Sequence, residues 1–518
     1  MTETAATAPA LPAADSSRAS PHADAAVLAG DERAQRQKQI VKALAAVLPA
    51  HALLASTTAT TAFENDGLTL FRQPPLAVAL PETEAQVQAV LKVCSKLDVP
   101  VVARGAGTGL SGGATPHGNG VVLSLAKFRR IVGIDAQART ATVQCGVRNV
   151  SISQAAAAHG LFYAPDPSSQ LACTIGGNIA ENAGGVHCLK YGLTLHNVMQ
   201  VRGYTIDGEP ITLGSLALDA PGFDLLPLIV GSEGLLMVIV EATVRLLPRP
   251  AEARCLLASF HTVRQAGDAV AAIIAQGIIP AGLEMMDQAM TAAVDDFVQV
   301  GYDRRAAAIL LCESDGSTDE VDDEIERMTQ VLQDNGAYRI VASSSEAQRL
   351  QFWKGRKNAF PASGRISPDY ICMDSTIPRH RLADMLEAIA AMQERYQLRC
   401  SNVFHAGDGN LHPLILFDGS DPDQLLRAQA FGDEILHLSV AMGGTVTGEH
   451  GVGLEKLGAM CAQFDADTLA QMHAIKRAFD EPGLLNPGKA VPTLSRCAEA
   501  GRMHVTGGAL PHPELERF

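Results

Sequence analysis

The chain has 518 residues, enough for two or more domains with large cores. At 47% hydrophobic and 19% charged it reads as a soluble globular protein: no apolar run reaches the about 18 residues of a membrane span, and the N-terminus lacks a basic-then-apolar export signal. A net charge of −15 argues against nucleic acid as a partner.

Residues 1–30 are rich in Ala, Pro and Ser and are expected to be a disordered extension. An N-terminal helical segment follows over 31–74. Its helix is predicted at 33–49, with Ile40, Val41, Leu44 and Val47 inward, Asp31 as N-cap and Pro49 as stop. From 75 to 250 short apolar strands alternate with glycine-rich turns. Helices are predicted over Glu84–Leu97, with Val87, Val90, Leu91 and Cys94 inward, and over Ser151–His159, closed by Gly160. Pro248-Arg-Pro250 reads as a domain boundary. In 251–490, strands at 255–260, 306–312, 373–378 and 401–405 alternate with helices near 262–276, 318–335 and 379–396. This is the pattern of an α+β domain with an antiparallel or mixed sheet. Residues 491–518 form a tail.

No two of the ten cysteines are closer than 15 residues, which excludes a local zinc or iron–sulfur motif. Reduced thiols in a cytoplasmic protein are expected.

Two glycine clusters stand out. Arg104-Gly105-Ala106-Gly107-Thr108-Gly109-Leu110-Ser111-Gly112 contains a G-x-G-x-x-G match. An apolar strand precedes it, but Pro116, Gly118 and Gly120 follow, and then the strand-like Val121–Leu125. The dinucleotide fingerprint needs a helix there, so a Rossmann fold and a nicotinamide cofactor are disfavoured. What is left is a turn whose free N–H groups suit a phosphate, with a plain flexible loop as the alternative. The second cluster runs from Pro165-Asp166-Pro167 through Thr174, Gly176, Gly177 and Asn178 to Asn182, Gly184 and Gly185. Glycine there permits close approach of backbone to a ligand, or to another stretch of backbone.

The second domain holds a histidine-rich constellation. His405 and His412 flank a Gly-Asp-Gly-Asn turn, and a hairpin across it could bring both rings to one point. Glu449 and His450 lie side by side between glycines. Two histidines and a carboxylate are a common divalent-metal set, with His450 left over as a base. A buried hydrogen-bonded histidine is nevertheless the commoner use of any one of them.

The glycine clusters resemble the FAD-binding loops of flavoproteins of the vanillyl-alcohol oxidase and para-cresol methylhydroxylase type. That likeness implies an α+β fold: a two-part FAD-binding domain, then a substrate domain of antiparallel sheet plus helices. Gly231–Leu235 with the strand around Ile239, and Asn486-Pro-Gly-Lys489, resemble later flavin-contacting segments of that type. The cofactor-binding residues so implied are Arg104 to Gly109, Ser111, Gly112, Pro165, Asp166, Thr174, Gly176, Gly177, Asn178, Asn182, Gly184, Gly185, Ile239 and Asn486. Some relatives link flavin through a histidine in the first loop; Gly107-Thr108-Gly109 stands there here, so non-covalent FAD is expected.

His-x-Gly-Asp-Gly-Asn-x-His and Gly-Glu-His-Gly-x-Gly resemble the signatures of FAD-linked D-2-hydroxy acid dehydrogenases, which oxidise glycolate, D-lactate or D-2-hydroxyglutarate. The resemblance implies that His405, His412 and Glu449 bind a divalent metal (Zn, or Mn/Fe), that His450 is the base, and that Arg356 clamps the substrate carboxylate. Dicarboxylate-using relatives carry a lysine where Cys372 aligns, so a small monocarboxylate is implied. The segments at 355–361, 364–370 and 496–518 resemble the flavoprotein subunit of glycolate-oxidising complexes. This implies a second FAD-domain subunit and an iron–sulfur subunit passing electrons to the quinone pool, with membrane contact only through those partners. A stand-alone D-lactate dehydrogenase is the alternative.

Overall fold

The computed structural model describes residues 26–217 and 222–493. Most of the expected disordered extension and most of the tail lie outside these residues. Residues 26–30 do not behave as a disordered leader. Asn119 holds Leu28 and Ala26 through its side-chain amide, and the first helix already starts at Gly30, running to Leu44. Its N-cap is Ala29, not Asp31. Asp31 sits inside the first turn, where its charge favours the positive helix end without capping it.

Two sheets share the first core. One runs in the order Leu53–Leu54, Ala77–Ala79, Val121–Ser124, Val101–Arg104. The first pair is antiparallel and the others are parallel. Ala77–Ala79 and Val121–Ser124 are buried throughout, as continuous apolar runs in parallel strands should be. The short strand Leu53–Leu54 makes the 31–74 segment part of this core. Helix Glu84–Lys96 buries Val87, Val90, Leu91 and Cys94 as predicted and starts with a capping box between Thr83 and Gln86. The second predicted helix runs Asn149–Ala156, continues as a tighter turn to His159 and closes at Gly160 with φ +67°. The other sheet is antiparallel, in the order Ile131–Asp135, Thr140–Gln144, Val238–Arg245, Val198–Tyr204, Pro210–Gly214.

No helix follows the first glycine loop: residues 105–120 connect two parallel strands directly. The Rossmann geometry is absent for the reason expected.

The second domain is an eight-stranded sheet. Its order is Arg339–Ala342, Glu252–Phe260, Ala308–Gly316, Gly282–Asp287, Arg399–His405, Asn410–Phe417, Asp369–Cys372, with Ser375–Thr376 also pairing on Asn410–Phe417. Every pairing is antiparallel. Helices Val263–Ala275, Thr318–Asp334, Leu382–Tyr396 and Pro422–Ala441 pack on one face. Helices Gln288–Val298, Glu346–Lys357 and Ala359–Ser363 pack on the other. The strand Gly282–Asp287 was not predicted, because Leu-Glu-Met-Met lacks both alternation and β-branched residues. The predicted strand at 373–378 shrinks to Ser375–Thr376, interrupted at Asp374, which is fully buried and turned to a different task.

The chain then returns. Leu484 and Leu485 join the first core, and Val101 exchanges backbone hydrogen bonds with Leu484 and Asn486. A polar seam also joins the domains. Lys190 and Tyr191 bond Asp315, while His187 bridges Asp166 (2.8 Å) and Glu313 (3.3 Å). Burial opposes charge on His187, but Asp166 and Glu313 prevail and push its pKa up to about 10. A raised folded pKa means the seam's contribution is complete below the ordinary imidazole pKa of about 6.5 and is lost as pH rises through about 10. Thermal melts of the wild type and His187→Gln are therefore expected to differ most near pH 6 and to converge by pH 10. A gap that does not narrow would contradict a charged His187.

Cys94, Cys145, Cys173, Cys188, Cys255, Cys312, Cys372 and Cys400 are buried free thiols.

Candidate active site

A cavity of about 450 Å³ lies where the domains meet. Arg104, Gly105, Ala106, Gly107, Thr108, Gly109, Thr174, Gly176, Gly177, Asn178, Gly184 and Ile239 line it from the first domain. Arg356, His412, Glu449 and His450 line it from the second, together with Lys357, Phe360 and Tyr370. The two glycine loops touch each other. A Cβ on Gly105 would fall 2.2 Å from Thr174 Oγ1, and Gly107 has φ +71° with Arg104 folded against it. Arg104 is buried and donates to the carbonyls of Asn65 and Ala114, so it braces the loop from behind.

Other expected cofactor residues support the wall and do not line the cavity. Ser111 accepts from the N–H groups of Leu454 and Glu455 through its carbonyl, and Gly112 packs on Phe71 and Leu454. Pro165 accepts from Asn149, Asp166 is engaged by His187, and Asn182 accepts from the Leu195 N–H. Gly185 lies against the Asp166 carbonyl. Asn486 donates to the carbonyls of Gly113 and Glu233. The side-chain hydroxyl of Ser111, in contrast, is buried without a hydrogen-bond partner among the described residues.

The metal-type residues converge. His405 stands opposite Asn410 across the hairpin, and His412 lies two residues further on, so both project from one face. Their rings are 5.1 Å apart and perpendicular. Glu449 Oε1 lies 3.2 Å from His405 Nε2 and 3.1 Å from His412 Nε2. One ligand atom from each of the three falls within 4.8 Å of the others. Ligands about 2.1 Å from a tetrahedral ion are separated by about 3.4 Å, so this donor set fits a divalent cation. His405 is buried behind Glu449 and is absent from the cavity wall.

His450 stacks on His412 with centroids 5.0 Å apart. Its Nδ1 is buried and has no hydrogen-bond partner among the described residues. Burial lowers its pKa to about 4 against the opposing pull of Asp374, which keeps the ring neutral at pH 7. Burial would also lower His405, but Glu284 and Glu449 raise it well above the usual range; burial would raise Glu449, yet His405 and His412 hold it well below.

Two carboxylates that the motifs did not flag organise this set. Glu284 is 1% exposed. Its Oε1 accepts from His405 Nδ1 at 2.7 Å, which turns Nε2 toward the centre, and its Oε2 takes Nε and Nη2 of Arg356, both at 2.7 Å. Nη1 of Arg356 makes no hydrogen bond among the described residues. Asp374 gathers the Glu449 turn: it accepts from the N–H groups of Gly448, Glu449 and His450, from Thr447 Oγ1 and from Lys456 Nζ. Burial opposes its charge, but Lys456 holds its pKa well below the ordinary value. A Cβ at Gly448 would fall 1.5 Å from Asn410 Nδ2, so any side chain there would displace the buried Asn410. Glu181 and Glu233 also line the cavity, beside Gly451.

Residues 249–490 match the family described as FAD linked oxidases, C-terminal domain, and residues 75–214 match the FAD binding domain family. The chain is 57% identical to the glycolate oxidase subunit GlcD of Escherichia coli (strain K12) over 479 residues, 92% of this chain and 96% of the relative. It is 30% identical to a D-lactate dehydrogenase of Anaerostipes hadrus, covering 82% of this chain and 92% of the relative. Its fold is similar to that of p-cresol methylhydroxylase with substrate bound, with a TM-score of 0.76 at 17% identity, covering 89% of this chain and 98% of that one.

Proposed function

This chain belongs to the family of FAD-linked oxidases and is a 2-hydroxy acid oxidoreductase, and from that premise we propose that it oxidises glycolate, and D-lactate as well, to the 2-oxo acid. The observation that carries the reading is one cavity walled by glycine loops at one end and at the other by the neutral His450, by Arg356, and by His412 and Glu449, with His405 buried beside them to complete a two-histidine-one-carboxylate set.

Residues 104–109 and 174–178 would hold non-covalent FAD, which would supply the hydride acceptor. The cavity's thiols, Cys145 and Cys173, are both pushed up by burial and are poor nucleophiles for a flavin link. His405, His412 and Glu449 would hold a divalent metal (Zn, or Mn/Fe), which would supply Lewis acidity toward the substrate hydroxyl. Glu284 holds the His405 tautomer that presents Nε2. The Arg356 guanidinium holds the substrate carboxylate through its remaining donors, and His450 takes the hydroxyl proton. Cys372, buried 4.0 Å from His412 Nδ1, offers no charge for a second carboxylate, which supports a small monocarboxylate.

Electrons then leave through a second FAD-domain subunit and an iron–sulfur subunit toward the quinone pool. The subunit name of the E. coli relative supports a multi-subunit assembly. So does the cysteine spacing, which leaves no cluster motif here. A cytoplasmic location, reaching the inner membrane through those partners, goes with the reading; no helix among the described residues is long and apolar enough to cross a membrane. The second reading is a stand-alone D-lactate dehydrogenase; the similarity to a relative named D-lactate dehydrogenase supports that substrate.

Anaerobic mixing of the purified holoprotein with each acid tests the reading, followed at the flavin band near about 450 nm. Glycolate and D-lactate are expected to bleach it; L-lactate and D-2-hydroxyglutarate are not. No bleaching by any of the four, with FAD bound and metal supplied, would reject the assignment. Glu449→Gln is expected to lower metal content and rate together: replacing even a group that hydrogen-bonds a metal ligand typically costs about 10–100-fold in affinity or activity, and a ligand should cost at least as much. Unchanged metal stoichiometry would remove Glu449 from the ligand set.

A further inference from the structure

His187 lies outside the cavity wall and in none of the motifs above, yet both its ring nitrogens are committed. Nδ1 meets Asp166 Oδ2 at 2.8 Å, and Asp166 Oδ1 also takes the His187 N–H. Nε2 meets Glu313 Oε1 at 3.3 Å. Glu313, 2% exposed, spends its other oxygen on Arg349 (2.7 Å) and on the Trp353 indole N–H. Arg349, Trp353 and Arg356 recur at i, i+4 and i+7 of the helix Glu346–Lys357 and so share one face.

That face is seated on two adjacent strands by two buried carboxylates. Glu313 stands opposite Gly282, and Glu284 is two residues further along the Gly282 strand, on the same side of the sheet. Trp353 rests on Gly282, where a Cβ would come within 3.2 Å of the indole. One carboxylate fixes the start of the helix and the other fixes Arg356. The first is tied through His187 to Asp166, in the second glycine loop of the cofactor domain.

We infer that His187 is a positioning residue: it registers the Arg356 helix, and with it the grip on the substrate carboxylate, to the cofactor loop. The inference rests on the reading of Arg356 given above. A clamp needed only to hold the second domain together would be complete with Glu313, Arg349 and Trp353. The Asp166 contact adds a link between domains, and that link sets the distance from carboxylate grip to cofactor.

The test is a double-mutant cycle on the FAD-loaded full chain with oxalate, a carboxylate ligand that cannot be oxidised at a carbinol carbon. Oxalate Kd is read from the perturbed flavin spectrum, and FAD Kd is measured alongside. His187→Gln is expected to weaken oxalate by about tenfold, within the usual range of coupling between sites, while FAD Kd shifts by less than about threefold. Adding it to Arg356→Lys should cost no more than about twofold beyond Arg356→Lys alone, because both act through one guanidinium. Glu313→Gln, which breaks the link from the other side, should repeat the pattern. Multiplying effects, or oxalate binding unchanged in His187→Gln, would overturn the inference. So would loss of FAD from both the His187 and Glu313 variants, which would make the seam a requirement of folding alone. Failure of the functional reading shows separately, as a wild type that neither binds oxalate nor is bleached by any hydroxy acid.

Discussion

His450→Ala is expected to abolish flavin reduction by glycolate while FAD stays bound. The residue touches no glycine-loop atom among its hydrogen bonds and ring contacts; its neighbours are His412, Glu449 and Asp374. Removing it leaves the cofactor wall intact and removes the proton acceptor. General-base catalysis contributes about 10²–10⁴-fold, so single-turnover bleaching should slow by at least that lower bound. The pH dependence follows from the same burial. A group whose pKa is pushed down to about 4 is in its base form from pH 5 upward, so the acid limb of kcat should lie near or below pH 4, not near the ordinary imidazole value of about 6.5. Rapid bleaching in His450→Ala would assign the proton to another acceptor.

Asp374→Asn is expected to cause the largest loss of stability of any single change near the site. Asp374 and Lys456 are both fully buried, 3.0 Å apart. Neutralising one partner leaves the other charge uncompensated, which typically costs about 3–5 kcal/mol. The same change loosens the N–H groups of Gly448, Glu449 and His450 together, so activity should fall beyond what instability explains. Urea unfolding and single-turnover bleaching on the refolded fraction separate the two effects. Asp374→Asn combined with Lys456→Met should recover much of the stability and little of the rate, since the cation is gone but the turn has still lost its carboxylate. A midpoint unchanged in Asp374→Asn alone would contradict the ion-pair account.

The contrast between His450 and Asp374 shows what the sequence could reveal. The two glycine loops, the paired histidines and the Glu449-His450 dipeptide are local: each is a cluster of special residues within a few positions, and close spacing betrays them. The supports are not local. Glu284 is 121 residues from His405 and 72 from Arg356, in a methionine-rich strand with no periodic signal. Asp374 reaches the 448–450 turn across 74 to 76 residues. Only the register of an antiparallel sheet brings such pairs together, and one strand slipped by one residue would turn Glu284 away. Within the expected cofactor set, motif resemblance marks a whole loop and does not separate residues that line the cavity from Asp166, Asn182 and Asn486, whose polar groups bond to other parts of the protein.

The return of Leu484–Asn486 to the strand Val101–Arg104 has a consequence for biosynthesis. The cofactor domain is begun first and finished last, with the substrate domain synthesised in between. Gly113 emerges from the ribosome 373 residues before the Asn486 that braces it, an interval of about 20–75 s at about 5–20 residues per second. Throughout that interval the first sheet must persist with an edge strand unpaired, which is an aggregation hazard. The bracing of Gly113, which lines the cavity, must wait until the last segment has left the exit tunnel.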